Sequence, residues 1–294
     1  DQALAAAKPK IALIMKSLAN EFFVNMASEA EKHQAANTSK YSLIVNGIKN
    51  ESDLAQQVSL VDQMINSNVD AIVIAPADSK ALVPALARAR NAGIVVVNID
   101  NRLDAEVLAD YSLKIPYVGP SNREGAKLVA DHVLTNLGSD TTVAILEGIS
   151  SAHNAIQRRM GFEDAVREAG MKVVTSQSAS WDQTKAAQLT AAILSQHPDL
   201  GVILAANDNM ALGAASAVKL ADLERSVIIA GFDNISAIHP LIESGAVTAT
   251  VDQFGGRFAV FGIELALNAL EGNTKLVDRK TPVELITIAQ LDAL

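Results

Sequence analysis

Apolar positions along this chain fall into two alternating patterns. Short runs almost free of polar residues, at 10–15, 41–45, 70–75 and 94–99, alternate with longer stretches in which apolar positions return every three or four residues. Unalternating runs rich in Val and Ile are what strands buried on both faces require. The stretches between them, at 21–34, 51–68 and 80–92, predict helices. In the second of these Leu54, Val58, Val61 and Ile65 form one apolar stripe, and Gly93 supplies a helix C-terminus after the third. Alternating βα units of this kind predict a parallel sheet with helices on both faces.

The pattern then restarts. Predicted helices at 121–137, 152–169, 181–195, 209–220 and 235–243 alternate with strands at 142–146, 172–177, 202–205, 227–230 and 246–251. Two series of similar length predict two similar α/β lobes, with the boundary near 117–120. The tail does not fit two beads on a string. A further helix at 255–270, ended by Gly272 and Asn273, precedes a last strand at 282–288. If these return to the first lobe and then cross again, several strands join the lobes and a hinge follows. The predicted domains are therefore 8–117 plus 254–283, and 118–253 plus 284–294.

Composition narrows the function. The 294 residues are long for one core and favour two lobes. With 49% hydrophobic and 19% charged residues the chain is an ordinary folded protein. A net charge of -9, with 24 dispersed Lys and Arg, argues against a nucleic-acid partner. The lack of cysteine excludes disulfides, thiolate nucleophiles and Cys-ligated metal. No run approaches the roughly 18 apolar residues of a membrane span, so the chain is not expected to be membrane-embedded. Residues 1–7 read as a tail left by processing.

Enzyme signatures are missing: no GxGxxG follows a strand, and GxxxxGK[ST], GxSxG and HExxH do not occur. The five histidines stand apart, so neither a metal nor a cofactor is expected, and the chain is not expected to be an enzyme. What remains is a series of polar and aromatic residues where predicted strands end. Asn20, Phe22 and Phe23 lie in the stretch KSLANEFFV, and Asp100 and Asn101 follow the fourth strand. Arg158, Trp181, Asn207, Asp208, Asp233, Asn234 and Gln253 hold comparable places in the second series. Each has a plain alternative, since Asn and Asp before helices are caps and the two phenylalanines could staple a helix to the sheet. Their joint placement at the C-terminal ends of strands, where open α/β sheets place ligands, points instead to a binding site. Carboxylates accept from neighbouring hydroxyls, a guanidinium donates to two, amides do both, and aromatic faces cover C–H surfaces. That set suits a neutral polyhydroxylated molecule.

With KSLANEFFV, IAPADS, NID, QRRMGF, AANDNMALGA, AGFDN and TVDQ in this order, the chain resembles the ribose-binding, type I class of periplasmic sugar-binding proteins of bacterial ABC transporters. The resemblance covers roughly residues 9 to 290. It implies two doubly wound parallel-sheet lobes joined by a three-crossover hinge. It also implies sugar contacts from Asn20, Phe22, Phe23, Asp100, Arg158, Trp181, Asn207, Asp233 and Gln253, with Asn101 beside Asp100 in the same site. In two places the chain departs from the ribose type: Ala75 stands where that type has an asparagine, and Asn101 where it has an arginine. These departures shift the expectation from ribose to another pentose or hexose, or an open-chain sugar alcohol.

The implied protein is a periplasmic monomer, exported and processed, that closes on one small neutral carbohydrate or polyol in the interlobe cleft and delivers it to an inner-membrane ABC permease. Closure requires ligand contacts from both lobes, because only differential affinity shifts a conformational population. The stretch 102–114, longer than in the ribose type, would cover part of the cleft mouth or be a surface insertion. Three rivals stand beside this reading. One is the effector-binding domain of a LacI-type transcription regulator, which would need a helix-turn-helix ahead of the first strand, where nine residues precede Lys10. A second is a chemoreceptor-linked sugar sensor, and a third an α/β enzyme using Asp100 or Asp233 as acid or base.

Overall fold

A computed structural model describes residues 7–273 and 275–293. The expected processed tail, residues 1–7, lies outside the described residues except for Ala7. In chain order the elements begin with β1 (Lys10–Ser17), α1 (Glu21–Ala35), β2 (Ser42–Ile48), α2 (Leu54–Asn66), β3 (Ala71–Ile74), α3 (Val83–Asn91), β4 (Val95–Ile99), α4 (Ala105–Asp110) and β5 (Tyr117–Pro120). They continue with α5 (Asn122–Leu134), β6 (Thr142–Glu147), α6 (His153–Glu168), β7 (Lys172–Ser178), α7 (Gln183–Gln196), β8 (Val202–Ala205), α8 (Asp208–Ala221) and β9 (Ile228–Ala230). After a 3-10 turn at Ser236–Ile238 come α9 (His239–Glu243), β10 (Thr250–Asp252), α10 (Gly255–Leu270), β11 (Arg279–Thr281), β12 (Glu284–Ile286) and α11 (Ile288–Leu291).

Two compact units result. The first runs through Gly119 and takes back Gly255–Lys280; the second holds Pro120–Phe254 and the chain from Thr281 onward. In the first unit the sheet order is β11-β5-β4-β3-β1-β2, and β1 to β5 pair in parallel. Strand side chains alternate between faces. On one face Ala12, Ile14, Ile72, Ile74 and Val96 pack with Leu60, Val61, Met64 and Leu86 of α2 and α3. The other face is covered by α1 and α10. There Gly262 of α10 lies so close to the sheet that an added Cβ would sit 2.7 Å from Val73 and 2.9 Å from Ile99.

The second unit has a parallel sheet of order β7-β6-β8-β9, and β10 pairs antiparallel with β12. Its helices pack in pairs, α5 with α6 and α7 with α8.

Four differences from the expected elements have local causes. The helix expected at 235–243 breaks into a 3-10 turn and α9, with Pro240 in the first turn of α9. The strand expected at 282–288 is the shorter β12, and a strand not expected, β11, precedes it on the other side of Pro282. The stretch 102–114 holds a helix, α4, capped by the Asp104 carboxylate on the N–H groups of Glu106 and Val107. Residues 117–120 form a strand, β5, that the pattern did not predict, and the units divide between Gly119 and Pro120, inside the expected boundary.

Candidate functional site

In the first unit, β1 runs into Lys16 and Ser17, so a charged side chain continues an apolar strand. Lys16 is 1% exposed, and a buried ammonium must be paired. Its Nζ lies 3.3 Å from Asp100 Oδ2 and 3.6 Å from Glu51 Oε1, and 5.6 Å from the centre of the Phe23 ring. Asp100 follows β4 in a left-handed conformation (φ 65), and the Tyr117 hydroxyl donates to its carbonyl at 3.0 Å. Beyond the ion pair, Asp100 Oδ2 accepts no hydrogen bond among the described residues, although it is enclosed. Its acceptor capacity remains for a hydroxyl.

The other expected residues of this unit have structural jobs as well. Asn20 caps α1, its Oδ1 accepting from the Phe22 N–H at 3.0 Å. Phe22 and Phe23 meet edge to face at 5.1 Å. Phe22 also packs against Phe258 of α10 at 6.3 Å and fills the space beside Gly255, so it staples helix to helix while Phe23 borders Lys16. Asn101 is fully buried; its Nδ2 donates to the Pro76 carbonyl at 2.9 Å and its Oδ1 accepts from Ser79. Those bonds tie the loop after β4 to the loop after β3.

In the second unit, α6 carries Arg158 to the end of β8. Its guanidinium donates to Asn122 Oδ1 at 2.9 Å, to the Ala206 carbonyl at 2.8 Å and to Gln253 Oε1 at 3.4 Å. It lies 3.8 Å from the centre of the Phe232 ring and 5.4 Å from that of Trp181, within cation–π range. Gln253 Nε2 donates to Asp233 Oδ1 at 2.7 Å, and that oxygen is 3.9 Å from Arg158 Nη1. Arg158, Trp181, Asp233 and Gln253 are thus brought together, each less than a tenth exposed.

Trp181 adopts φ 65 in the turn before α7 and presses on Gly148, where any Cβ would overlap the indole. Asn207 caps α8 by accepting from the Met210 N–H at 2.9 Å, directly after the carbonyl that Arg158 engages.

Sequence reasoning missed Lys16, Glu51, Asn122 and Phe232. A lysine continuing the run IALIM was a usable signal, since charged groups are rarely buried without a partner. Lys16 also restores a cation near Asp100, where Asn101 had removed the one expected. Among the described residues no group of three or more His, Asp or Glu is placed to hold a metal ion, and no helix is long and apolar enough to cross a membrane. A groove of about 390 Å³ lined by Asp131, Leu137, Glu168 and Met171 lies by the C-terminal ends of α5 and α6, apart from the Arg158 cluster near the start of α6.

Comparison with known proteins gives this arrangement a context. A family model described as a periplasmic binding protein domain matches residues 11–274. A D-ribose/D-allose-binding protein from Pseudomonas aeruginosa is 50% identical over 284 residues, covering 95% of this chain and 89% of the relative. An ABC transporter solute-binding protein from Burkholderia multivorans, solved with an unknown ligand represented as alpha-D-erythrofuranose, superposes with a TM-score of 0.94 at 50% identity, over 96% of this chain and all of that one (100%). A periplasmic solute-binding protein from Actinobacillus succinogenes with bound D-allose gives a TM-score of 0.90 at 36% identity, over 98% of this chain and 100% of that one.

Proposed function

Because the chain belongs to the periplasmic binding protein domain family and has the type I fold of sugar-binding proteins, we propose that it is the solute-binding component of an ABC importer, taking one small neutral sugar. The family is a solute-binding rather than an enzymatic kind. The observation that carries the sugar reading is the second-unit cluster: Arg158 donates to Gln253, Gln253 donates to Asp233, and Arg158 and Asp233 form an ion pair, beside the Phe232 and Trp181 rings. Donors, acceptors and aromatic faces held in fixed positions are what vicinal hydroxyls and the C–H face of a pyranose or furanose require. The first unit contributes an acceptor at Asp100, a donor at Lys16 and a ring at Phe23. The partner in this reading is an inner-membrane permease, with the chain a periplasmic monomer.

The relatives' ligands favour an aldose of the ribose or allose type, and D-allose, a hexose, agrees with the departures at Ala75 and Asn101. Lys16 adds a cationic donor in the first unit, suited to a hydroxyl that a neutral side chain would hold less strongly. Titration calorimetry against D-allose, D-ribose and a panel of pentoses, hexoses and polyols tests the reading. Binding to at least one member is expected, with losses of about 100-fold in Asp233→Ala and Lys16→Met, because each removes a charged hydrogen-bonding partner worth roughly 2–3 kcal/mol. No heat with any carbohydrate would overturn the proposal.

A further inference from the structure

Asp208 is fully buried at the first position of α8, yet it belongs to none of the recognition groups above. Its bonds are specific. The Asp208 N–H donates to the Phe232 carbonyl at 2.8 Å, and its Oδ2 accepts from the Ile235 N–H at 3.0 Å. A single residue therefore holds both ends of the excursion 232–235. Between those ends lie Asp233 and Asn234, at φ 126 and 57, conformations that L residues rarely adopt and that persist only where the surroundings enforce them. The third bond reaches β10: Thr250 Oγ1 donates to Asp208 Oδ1 at 2.7 Å. Strand β10 leads directly to Gln253, whose amide donates to Asp233. Room for the carboxylate depends on Gly231, where any Cβ would overlap Asp208 Oδ1.

We propose that Asp208 is a positioning residue that sets the Asp233 carboxylate and the Gln253 amide in the geometry that recognises sugar, an inference that rests on the sugar-binding reading. It does so without touching ligand. The loop is pinned at Phe232 and Ile235, the strand is pinned at Thr250, and the two recognition groups meet because the same carboxylate anchors both. An unanchored loop would let Asp233 relax toward ordinary backbone conformations, and ligand would have to select the competent fraction.

The test uses the full chain and three variants, read by calorimetry with D-allose and D-ribose and by amide hydrogen exchange of the sugar-free protein. Asp208→Ala is expected to weaken binding at least 10-fold and to speed exchange at Asp233–Ile235 at a temperature where the chain stays folded. Thr250→Val, which removes the hydroxyl's bonds to Asp208 and to the Asn234 N–H but leaves Asp208 on Phe232 and Ile235, is expected to weaken binding by a smaller factor, and it decides the matter should Asp208→Ala fail to fold. Asp208→Asn keeps one acceptor for the Ile235 N–H and can donate to Thr250, so it should bind within about threefold of the parent. Unchanged affinity and unchanged loop exchange in both Asp208→Ala and Thr250→Val would overturn this inference while the sugar-binding reading stood. Failure of the unaltered chain to bind any sugar would overturn both.

Discussion

At the residue scale, burial decides what each polar side chain can do. Complete burial pushes the Asp208 carboxyl up to about 6, against the opposing effect of hydrogen bonds from Thr250 and the backbone N–H groups. Because its folded value lies above the unfolded one, the folded state holds the proton more tightly between roughly pH 4 and 6. Asp208 therefore adds stability at acid pH that is lost as pH rises through about 6. Asp208→Asn should be the more stable protein above pH 7 by up to about 3 kcal/mol, with the gap closing below pH 4, as read by urea unfolding across pH. Other titratable groups of that neighbourhood, Asp233, Asp252 and His239, are present in both proteins, and the difference curve removes them. Arg158 illustrates the opposite case. Removing a buried guanidinium that bonds Asn122, Ala206 and Gln253 leaves partners unsatisfied, so Arg158→Ala should lose about 3 kcal/mol of stability as well as sugar binding. Residue types at strand ends were legible in the sequence. Which use each serves was not: Asn20 and Asn207 read as caps or as ligand groups, and the folded chain gives each a cap.

At the element scale, packing distances set how precisely strand ends are placed. Gly262 lets α10 lie against Val73 and Ile99, and β4 ends at Ile99, one residue before Asp100. Gly262→Ala should cost about 1–3 kcal/mol by overpacking and weaken sugar binding by displacing the end of β4; thermal unfolding and calorimetry read the two effects. The βα alternation, the parallel strands and the helix caps were readable because hydrophobic periodicity and capping chemistry are local. Element ends were less so. Proline punctuated 235–243 more sharply than periodicity suggested, since Pro240 removes a backbone donor where the apolar pattern alone continues, and β11 escaped notice because Arg279 and Lys280 carry no apolar signal. Strand β5 (YVGP) escaped notice because Gly119 and Pro120 read as turn residues, whereas β3 and β8, equally short, are wholly apolar.

At the scale of the whole molecule, neither unit is a contiguous piece of chain. Helix α10 and strand β11 return to complete the first unit, where α10 packs on α1, β3 and β4. A fragment ending at Gly119 should therefore fail to fold, giving no cooperative thermal transition, because the face that Phe258, Ile263 and Ala266 cover would be open to water. For the intact chain, D-allose or D-ribose at 100 times its dissociation constant should add about 2.7 kcal/mol of stability, visible as a rise in melting temperature. The amino-acid order by itself determined the class of fold and the set of candidate recognition groups, since strand and helix periods and the chemistry of Asn, Asp, Arg and Gln at strand ends are properties of short segments. Only the tertiary structure decided which of those groups cooperate. Lys16 meets Asp100 and Glu51 across strands, Arg158 gathers Asn122, Ala206 and Gln253, and Asp208 bonds Phe232, Ile235 and Thr250 from other segments. Such pairings are non-local, and no sequence period encodes a distance between residues that are far apart along the chain.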